Sequence, residues 1–234
     1  MGDPAVGVIL AALDVDVDNA ASWNRWYDLE HLAPNLALPG IVAGHRYVAP
    51  PELHHARRCR DGDEVWGGGR SVYLTWYATS IDPTRAIEAM TVRRDELEAA
   101  GRMDGAGVRA VRSGDALQIL SSASPAALRL DPADLVHVGH VGLRLVIETD
   151  ERPATLGPGV VASLRLTSAF TPGRHVELQL LGEEPRAVVP ELRRAEADRT
   201  LEVDAAFDRI EALRHPFLAA IEQSDLPRTV EPSP

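Results

Sequence analysis

The sequence predicts an α+β fold assembled from two unequal copies of one β-α-β-β-α-β unit. Three observations carry that prediction. The first half reads as strands and helices in that order, a short motif from it returns 119 residues later, and the second copy is shorter by about one helix.

In the first half, Ala5 to Val17 is an apolar run with β-branched residues and reads as a strand. Asp18 or Asn19 caps a helix, and Pro34 is expected to stop it. Val42, His45 and Tyr47 belong to a second strand that begins after Pro39-Gly40, and Ser71 to Thr79 forms a third. Asp82-Pro83 starts a helix with Asp as N-cap and Pro at the first helical position, and Gly101 ends it. Val108 to Leu120 supplies a last strand, or a hairpin around Ser113-Gly114-Asp115. This order is the signature of a ferredoxin-like unit.

Ser121 to Pro125 reads as a linker, after which the pattern restarts. Pro39-Gly40-Ile41-Val42-Ala43, with Arg46 behind it, returns as Pro158-Gly159-Val160-Val161-Ala162 with Arg165 at the same offset. Val6-Gly7-Val8 has its counterpart in Val141-Gly142-Leu143, at a spacing of 135 rather than 119 residues. The deficit is the length of a four-turn helix, so the second repeat is expected to lack its first helix. Arg174 to Leu181 then reads as a strand and Glu184 to Arg199 as a helix. Thr200 to Val203 reads as a short strand and Asp204 to Gln223 as an extra helix. The expected domains are a first repeat at residues 1–121, a degenerate second repeat at 126–224, and a disordered tail at 225–234.

A ferredoxin-like sheet carries its helices on one face and leaves the other apolar and bare. Two antiparallel sheets packed face to face cover each other and close toward a barrel of about eight strands. One chain holding both repeats completes such a barrel alone, so a monomer is expected as readily as a homodimer.

Composition narrows the function. All 24 basic residues are Arg, which removes Lys Schiff bases and Lys-dependent phosphate loops. A formal net charge of -11 opposes nucleic-acid binding. No apolar run has the length of a membrane span, no signal-peptide pattern opens the chain, and Cys59 is the only cysteine. These features point to the cytoplasm, with a small molecule as partner rather than nucleic acid or membrane.

Every Trp and Tyr lies between Trp23 and Tyr77, which directs the search for a site to the first repeat. Trp23, Trp26, Tyr27, Glu30, His31 and Pro34 share one helical face. The aromatics read as a core face, whereas Glu30 beside His31 near a helix end suits a general acid/base pair. His45 and Tyr47 share one face of the second strand. Tyr73, Thr75 and Tyr77 share one face of the third, where hydroxyls would orient a ligand. Pro50 to Gly69 is a long connection in which Trp66, followed by Gly67-Gly68-Gly69, would serve as the plug of a lid. His54, His55 and Cys59 lie in the same connection, but adjacent histidines rarely meet at one ion, and no metal site is expected.

Residues 23–47, W-N-R-W-Y-D-L-E-H-L-A-P-N-L-A-L-P-G-I-V-A-G-H-R-Y, resemble the EthD-like branch of the dimeric α+β barrel superfamily. Its members carry W-Y-x-x-E-H-x-P, a short spacer, L-P-G and a strand ending in R-Y. The resemblance implies a cofactor-independent isomerase, cyclase or decarboxylase, or a monooxygenase, acting on a small aromatic or polyketide-like molecule. It implies His31 as the catalytic acid or base, with Tyr47 on the facing strand. Glu30 would orient His31, and Trp26, Tyr27, His45, Trp66, Tyr73, Thr75 and Tyr77 would contact substrate. The second half lacks the W-Y-x-x-E-H helix, so one site is expected instead of two. The rival expectations are a non-catalytic small-molecule binder in the same barrel, or a haem barrel with His31 or another His as axial ligand.

Overall fold

A computed structural model describes residues 3–226 of the chain. Strand β1 (Gly7–Val15) leads into one continuous helical stretch. It opens with a 3-10 turn at Val17–Asn19, continues as α1 (Ala20–Trp26), widens to a π-helix at Tyr27–Leu32 and ends as α2 (Ala33–Leu36). Pro34 does not stop this helix. A proline has no N–H to offer the preceding turn, and the π-helical turn before it takes up the mismatch. Strand β2 (Ile41–Val48), helix α3 (Pro51–His55), the two-residue β3 (Arg58–Cys59), β4 (Tyr73–Thr79), helix α4 (Pro83–Ala99) and β5 (Arg109–Ala123) complete the first half. Asp82 caps α4 by accepting hydrogen bonds from the Thr84 and Arg85 amides.

The second half contains β6 (Gly142–Glu148), β7 (Val160–Ser168), β8 (His175–Leu181), helix α5 (Pro185–Ala195), β9 (Val203–Ile210) and the short α6 (Leu218–Glu222). No helix joins β6 to β7, as the shortened repeat predicts. The strands form a single antiparallel ring in the order β2-β4-β1-β5-β7-β8-β6-β9, closed by β9 pairing back to β2. Each half contributes its strands in the same order: second, third, first, fourth. The architecture is therefore two tandem ferredoxin-like repeats whose sheets face each other and join edge to edge as a barrel.

The two joints differ. β5 is long enough to pair with β7 from Leu117 to Ala123, and Ser121–Ala123, which read as linker, are the end of this strand. At the other joint, β9 meets β2 only where Arg46, Tyr47 and Val48 face Ile210, Arg209 and Asp208. The start of the β9 edge pairs with β3, where Arg58 and Cys59 face Asp204 and Val203. The long connection after β2 thus supplies wall to the ring. That gives a physical reason why only the first repeat carries it.

Residues 203–210 correct the expectation of a helix from Asp204 onward. Val203, Ala205 and Phe207 point into the barrel core, while Asp204 meets arginines on the outside, the period-two pattern of a strand. The helix-favouring composition of this stretch hides that alternation. Ser113-Gly114-Asp115 lies inside β5, with a register shift opposite Ala12 and Leu13 in place of a hairpin. Of the tail expected at 225–234, only Asp225 and Leu226 fall within the described residues, and Leu226 is buried.

The barrel interior is apolar. Val8, Leu10, Leu74 and Trp76 from the first half pack with Leu145, Leu166, Leu178 and Phe207 from the second. Outside the second half, where the first helix is absent, an ionic lattice lies against the sheet. Arg165 bonds Glu148 at 2.6 Å, Arg199 bonds Glu148 at 2.6 Å and Glu177 at 2.9 Å, and Arg144 holds Asp204 through two 3.0 Å bonds. Such charges are tolerated away from water because each has partners.

Trp66 belongs to the core: it is 2% exposed, and the Arg57 guanidinium lies 5.5 Å from its ring. Arg57 also donates to the carbonyls of Trp66, Arg70 and Ser71 at 3.1, 2.6 and 2.9 Å, which ties the connection down. Trp66→Ala should therefore lower stability by about 3–5 kcal/mol, the usual cost of removing a buried large aromatic. Chemical denaturation measures it. A change below about 1 kcal/mol would fit a lid that rests open in solution.

Candidate functional site

The layer between the first helical stretch and the outer face of β2 and β4 is polar and aromatic. The Arg46 side chain rises from β2 into this layer, 3% exposed as a residue. It donates to Asp28 Oδ1, to Asn24 Oδ1 at 2.6 Å and to the Asn24 carbonyl at 3.3 Å. Its guanidinium lies 4.2 Å from the Tyr27 ring centre and 5.0 Å from that of Trp23. Rings and carboxylate together accommodate a cation that burial alone would expel. Asn24 Nδ2 in turn donates to the Tyr73 hydroxyl at 3.2 Å.

His31 sits on the π-helical turn, stacked on Trp26 at 5.3 Å and edge-on to Tyr27 at 4.7 Å. Burial pushes its pKa down to about 3, and the positive charges of Arg109 and Arg46 push in the same direction. Glu30 does not orient it, since the Glu30 carboxylate turns to the surface and pairs with Arg102 at 2.6 Å. Tyr73, Thr75 and Tyr77 also face this layer. Tyr73 packs 4.8 Å from Trp23, Thr75 lies opposite Arg46 in the β2–β4 ladder, and Tyr77 packs with Ile9, Ile41 and Ala86. The structure thus gathers Trp26, Tyr27, His31, Tyr73, Thr75 and Tyr77.

Several polar atoms of this layer lack partners. Among the described residues, six buried side-chain atoms other than arginine nitrogens have no hydrogen bond. Four of them, Trp23 Nε1, His31 Nδ1, Thr75 Oγ1 and the Tyr77 hydroxyl, belong here. The Tyr77 hydroxyl has Tyr27 and Asn35 beside it but meets neither at hydrogen-bonding geometry. Folds seldom leave donors and acceptors buried and idle, so such a cluster marks a place where a guest or water belongs. A cleft of about 270 Å³ opens at the edge of the layer, lined by Asp28, Leu32, Gly44, His45 and Arg46 and by residues 209–212 at and just beyond the end of β9. Asp28 and Leu32 lie on the same π-helical turn as His31.

His45 and Tyr47 point to the opposite face of β2, into the barrel end. The Trp76 indole donates to the Tyr47 hydroxyl at 3.0 Å, Tyr47 lies 2.7 Å from His140 Nε2, and His140 Nδ1 lies 2.8 Å from the Val138 carbonyl. A carbonyl only accepts, so Nδ1 carries the His140 proton and Nε2 accepts from Tyr47. His45 Nε2 likewise donates to the Val136 carbonyl at 3.0 Å. Burial holds His45 and His140 down to about 4 and raises Tyr47 far above the usual phenol range. Every member of this chain is engaged with a protein partner. His140 is the member that reading the sequence missed, and its only signal was the spacing of His137 and His140 ahead of β6.

The remaining candidates are dispersed. Trp66 is in the core beside Arg57, away from the π-helical turn. His54 bonds the Arg70 carbonyl at 2.8 Å, His55 pairs with Asp225 at 3.2 Å, and Cys59 sits in β3. Among the described residues no group of three or more His, Cys, Asp or Glu side chains gathers as a metal site. None of the helices described there is long and apolar enough to cross a membrane.

No protein-family profile matches the chain, and no curated protein matches its sequence. Solved structures do resemble it. One, provisionally assigned as a chlorite dismutase, superposes with a TM-score of 0.51 at 11% identity, covering 89% of this chain and 96% of its own. Another, provisionally assigned as a monooxygenase of Fusobacterium nucleatum subsp. nucleatum, gives 0.49 at 6% identity over 88% and 92%. A third, likewise assigned as a monooxygenase, of Lactobacillus acidophilus NCFM, gives 0.41 at 7% over 88% and 93%. The first of these likenesses shows a shared α+β fold, whose sheet closes as a ring within this one polypeptide.

The depressed histidines have a consequence for stability. His31, His45, His54 and His140 fall from 6.5 to about 3, 4, 4 and 4 in the folded chain. As pH drops below 6.5 the unfolded chain takes up protons that the folded chain refuses. Their contribution is therefore full above 6.5 and is lost as pH falls toward the folded values. Thermal melts between about pH 7.5 and pH 4 should show a steady fall in Tm. A Tm that holds level or rises across this window would contradict burial of these rings in the neutral form.

Proposed function

We propose that the chain is a cofactor-independent enzyme that moves a proton on a small aromatic or polyketide-like molecule bound in the helix–sheet layer of its first repeat. One observation carries this reading: four residues with unpartnered buried polar atoms, Trp23, His31, Thr75 and Tyr77, surround a buried, ring-flanked Arg46. A phenolic or enolic guest offers aromatic faces to the surrounding rings and an oxygen to those atoms.

In this reading His31 is the acid/base group. Its Nδ1 is the buried atom without a partner, and at neutral pH the empty site holds the ring uncharged. His31 takes a proton from an acidified O–H or C–H bond of the guest, leaving a phenolate or enolate, and returns it at another position. Arg46 and Arg109, the two cations that depress His31, stabilise the developing negative charge. A negative charge on the guest partly cancels theirs and favours the protonated ring, against the burial that depresses it most. Isomerisation, ring closure and decarboxylation all use such a step, and oxygen insertion begins from the same anion. Tyr73 and Thr75 shape the pocket, while Tyr47 and His45 hold the neighbouring barrel end. The reading keeps the chain with the EthD-like branch, on Trp26-Tyr27, Glu30-His31 and Pro39-Gly40, and assigns the site to residues 1–121.

A phenol with an enolisable ketone, 2,4-dihydroxyacetophenone, tests this reading. Its methyl protons exchange into D2O through the enolate, which NMR follows directly. His31→Gln should bind the probe within a few-fold of the parent but catalyse exchange about a hundredfold more slowly. Equal exchange by parent and variant would remove His31 from the chemistry. Binding by both without exchange above buffer would favour the non-catalytic binder.

A further inference from the structure

We propose that the larger cleft at the β2–β9 joint is a second small-molecule site, separate from the helix–sheet layer, and that it takes a carboxylate with an apolar body anchored on Arg209. The cleft measures about 430 Å³ and opens beside His140, Val141, Arg209, Pro216 and Phe217. It is built where β9 leaves its pairing with β2 and the chain turns back across the outside of the first half.

Arg209 separates this cleft from the smaller one and lines both. It donates one N–H to the His140 carbonyl at 3.2 Å. Among the described residues it forms no ion pair, although it is half-buried. Arg46, Arg144, Arg165, Arg193 and Arg199 each have a carboxylate partner in the fold, whereas Arg209, like Arg57, is held by carbonyl oxygen alone. Its charge reaches the nearby rings, since it depresses His45, Tyr47 and His140 alike.

The acidic residues of the cleft do not answer Arg209. Asp208 accepts two 3.1 Å bonds from Arg186, which also lies 3.7 Å from Glu184, and Glu211 pairs with Arg214 at 2.9 Å. Arg209 therefore remains the one guanidinium of the cleft without a counter-charge, and a carboxylate guest would supply it through the planar fork that arginine offers. Phe217, packed edge-on against His215 and Tyr73, and Val141, 45% exposed, give that guest an apolar wall. An exposed Val beside an exposed Pro at the rim of a charged cleft is surface that an aromatic ring would cover.

Benzoate is the probe and benzyl alcohol its uncharged counterpart, each titrated calorimetrically into the full chain at low salt. Benzoate should bind, weaken as salt is added, and bind at least about tenfold more tightly than benzyl alcohol. Arg209→Gln should lose about tenfold or more, and Arg209→Lys should recover part of it, because the charge returns without the fork. Val141→Asp, at an exposed position lining only the larger cleft, should also weaken benzoate by placing a carboxylate beside it. His31→Gln should leave benzoate binding unchanged, which separates this site from the helix–sheet layer. Undiminished binding in Arg209→Gln, equal binding of benzyl alcohol, or no binding of benzoate at about 10 mM would each overturn the proposal. Benzoate binding that depends on His31 and not on Val141 would place the guest in the layer and overturn it as well.

Discussion

The carboxylate of Asp28 joins three separate parts of this structure. One oxygen pairs with Arg46 on β2; the other accepts from the Leu213 amide at 2.7 Å and lies 3.0 Å from His215 Nε2. Helix, sheet and the segment after β9 thus meet at one charge whose side chain is 2% exposed. Leu213 adopts a left-handed backbone, φ 60°, to present its amide there, a conformation costly for a branched side chain and tolerated because the contact fixes it. Removing the carboxylate would leave Arg46 buried without its counter-charge, the situation that costs a fold most. The helix–sheet layer, the smaller cleft and the return of the C-terminal segment all rest on this contact.

The same problem is solved differently in the two halves. Arg46 and Arg165 occupy equivalent positions after the repeated Pro-Gly motif, and both carry a guanidinium on the outer face of the sheet. In the first half a helix covers that face and supplies Asn24, Asp28 and aromatic rings. The second half has no such helix, and Glu148, Glu177, Arg199 and their neighbours fill the face with mutually paired charges. In that lattice the atoms left without hydrogen bonds, such as Arg165 Nε, belong to cations already paired with carboxylates, whereas the aromatic layer leaves four uncharged polar atoms idle. The loss of one helix therefore means that the aromatic layer occurs once, in the first half.

Much of the fold was legible because it depends on order and period. The repeated Pro-Gly motif, the missing helix and the Asp82-Pro83 helix start all follow from local rules. The faces of the strands were harder. Alternation says that Tyr73, Thr75 and Tyr77 share a side, and that His45 and Tyr47 share a side of β2. It does not say which side faces the helices and which the interior, because both faces are buried. Tyr47 and the Tyr73 face were accordingly read as one pocket and lie on opposite sides of the sheet. Trp66 in a glycine-rich connection resembles a lid until the ring is seen to need β3 as wall. His140 was invisible because its partner Tyr47 lies 93 residues away across the joint.

The barrel end and the helix–sheet layer share a way of handling histidine. Each ring is buried, neutral and depressed, but those at the barrel end have their hydrogen bonds made by the protein, while the His31 Nδ1 has none. The account rests on that difference. Nitrogen-15 NMR of the imidazoles, recorded without and with 2,4-dihydroxyacetophenone, reads it directly. On binding, His31 Nδ1 should shift toward the hydrogen-bonded or protonated range, while His45 and His140 keep their tautomers. A His31 signal indifferent to the guest, with His45 or His140 responding in its place, would contradict it.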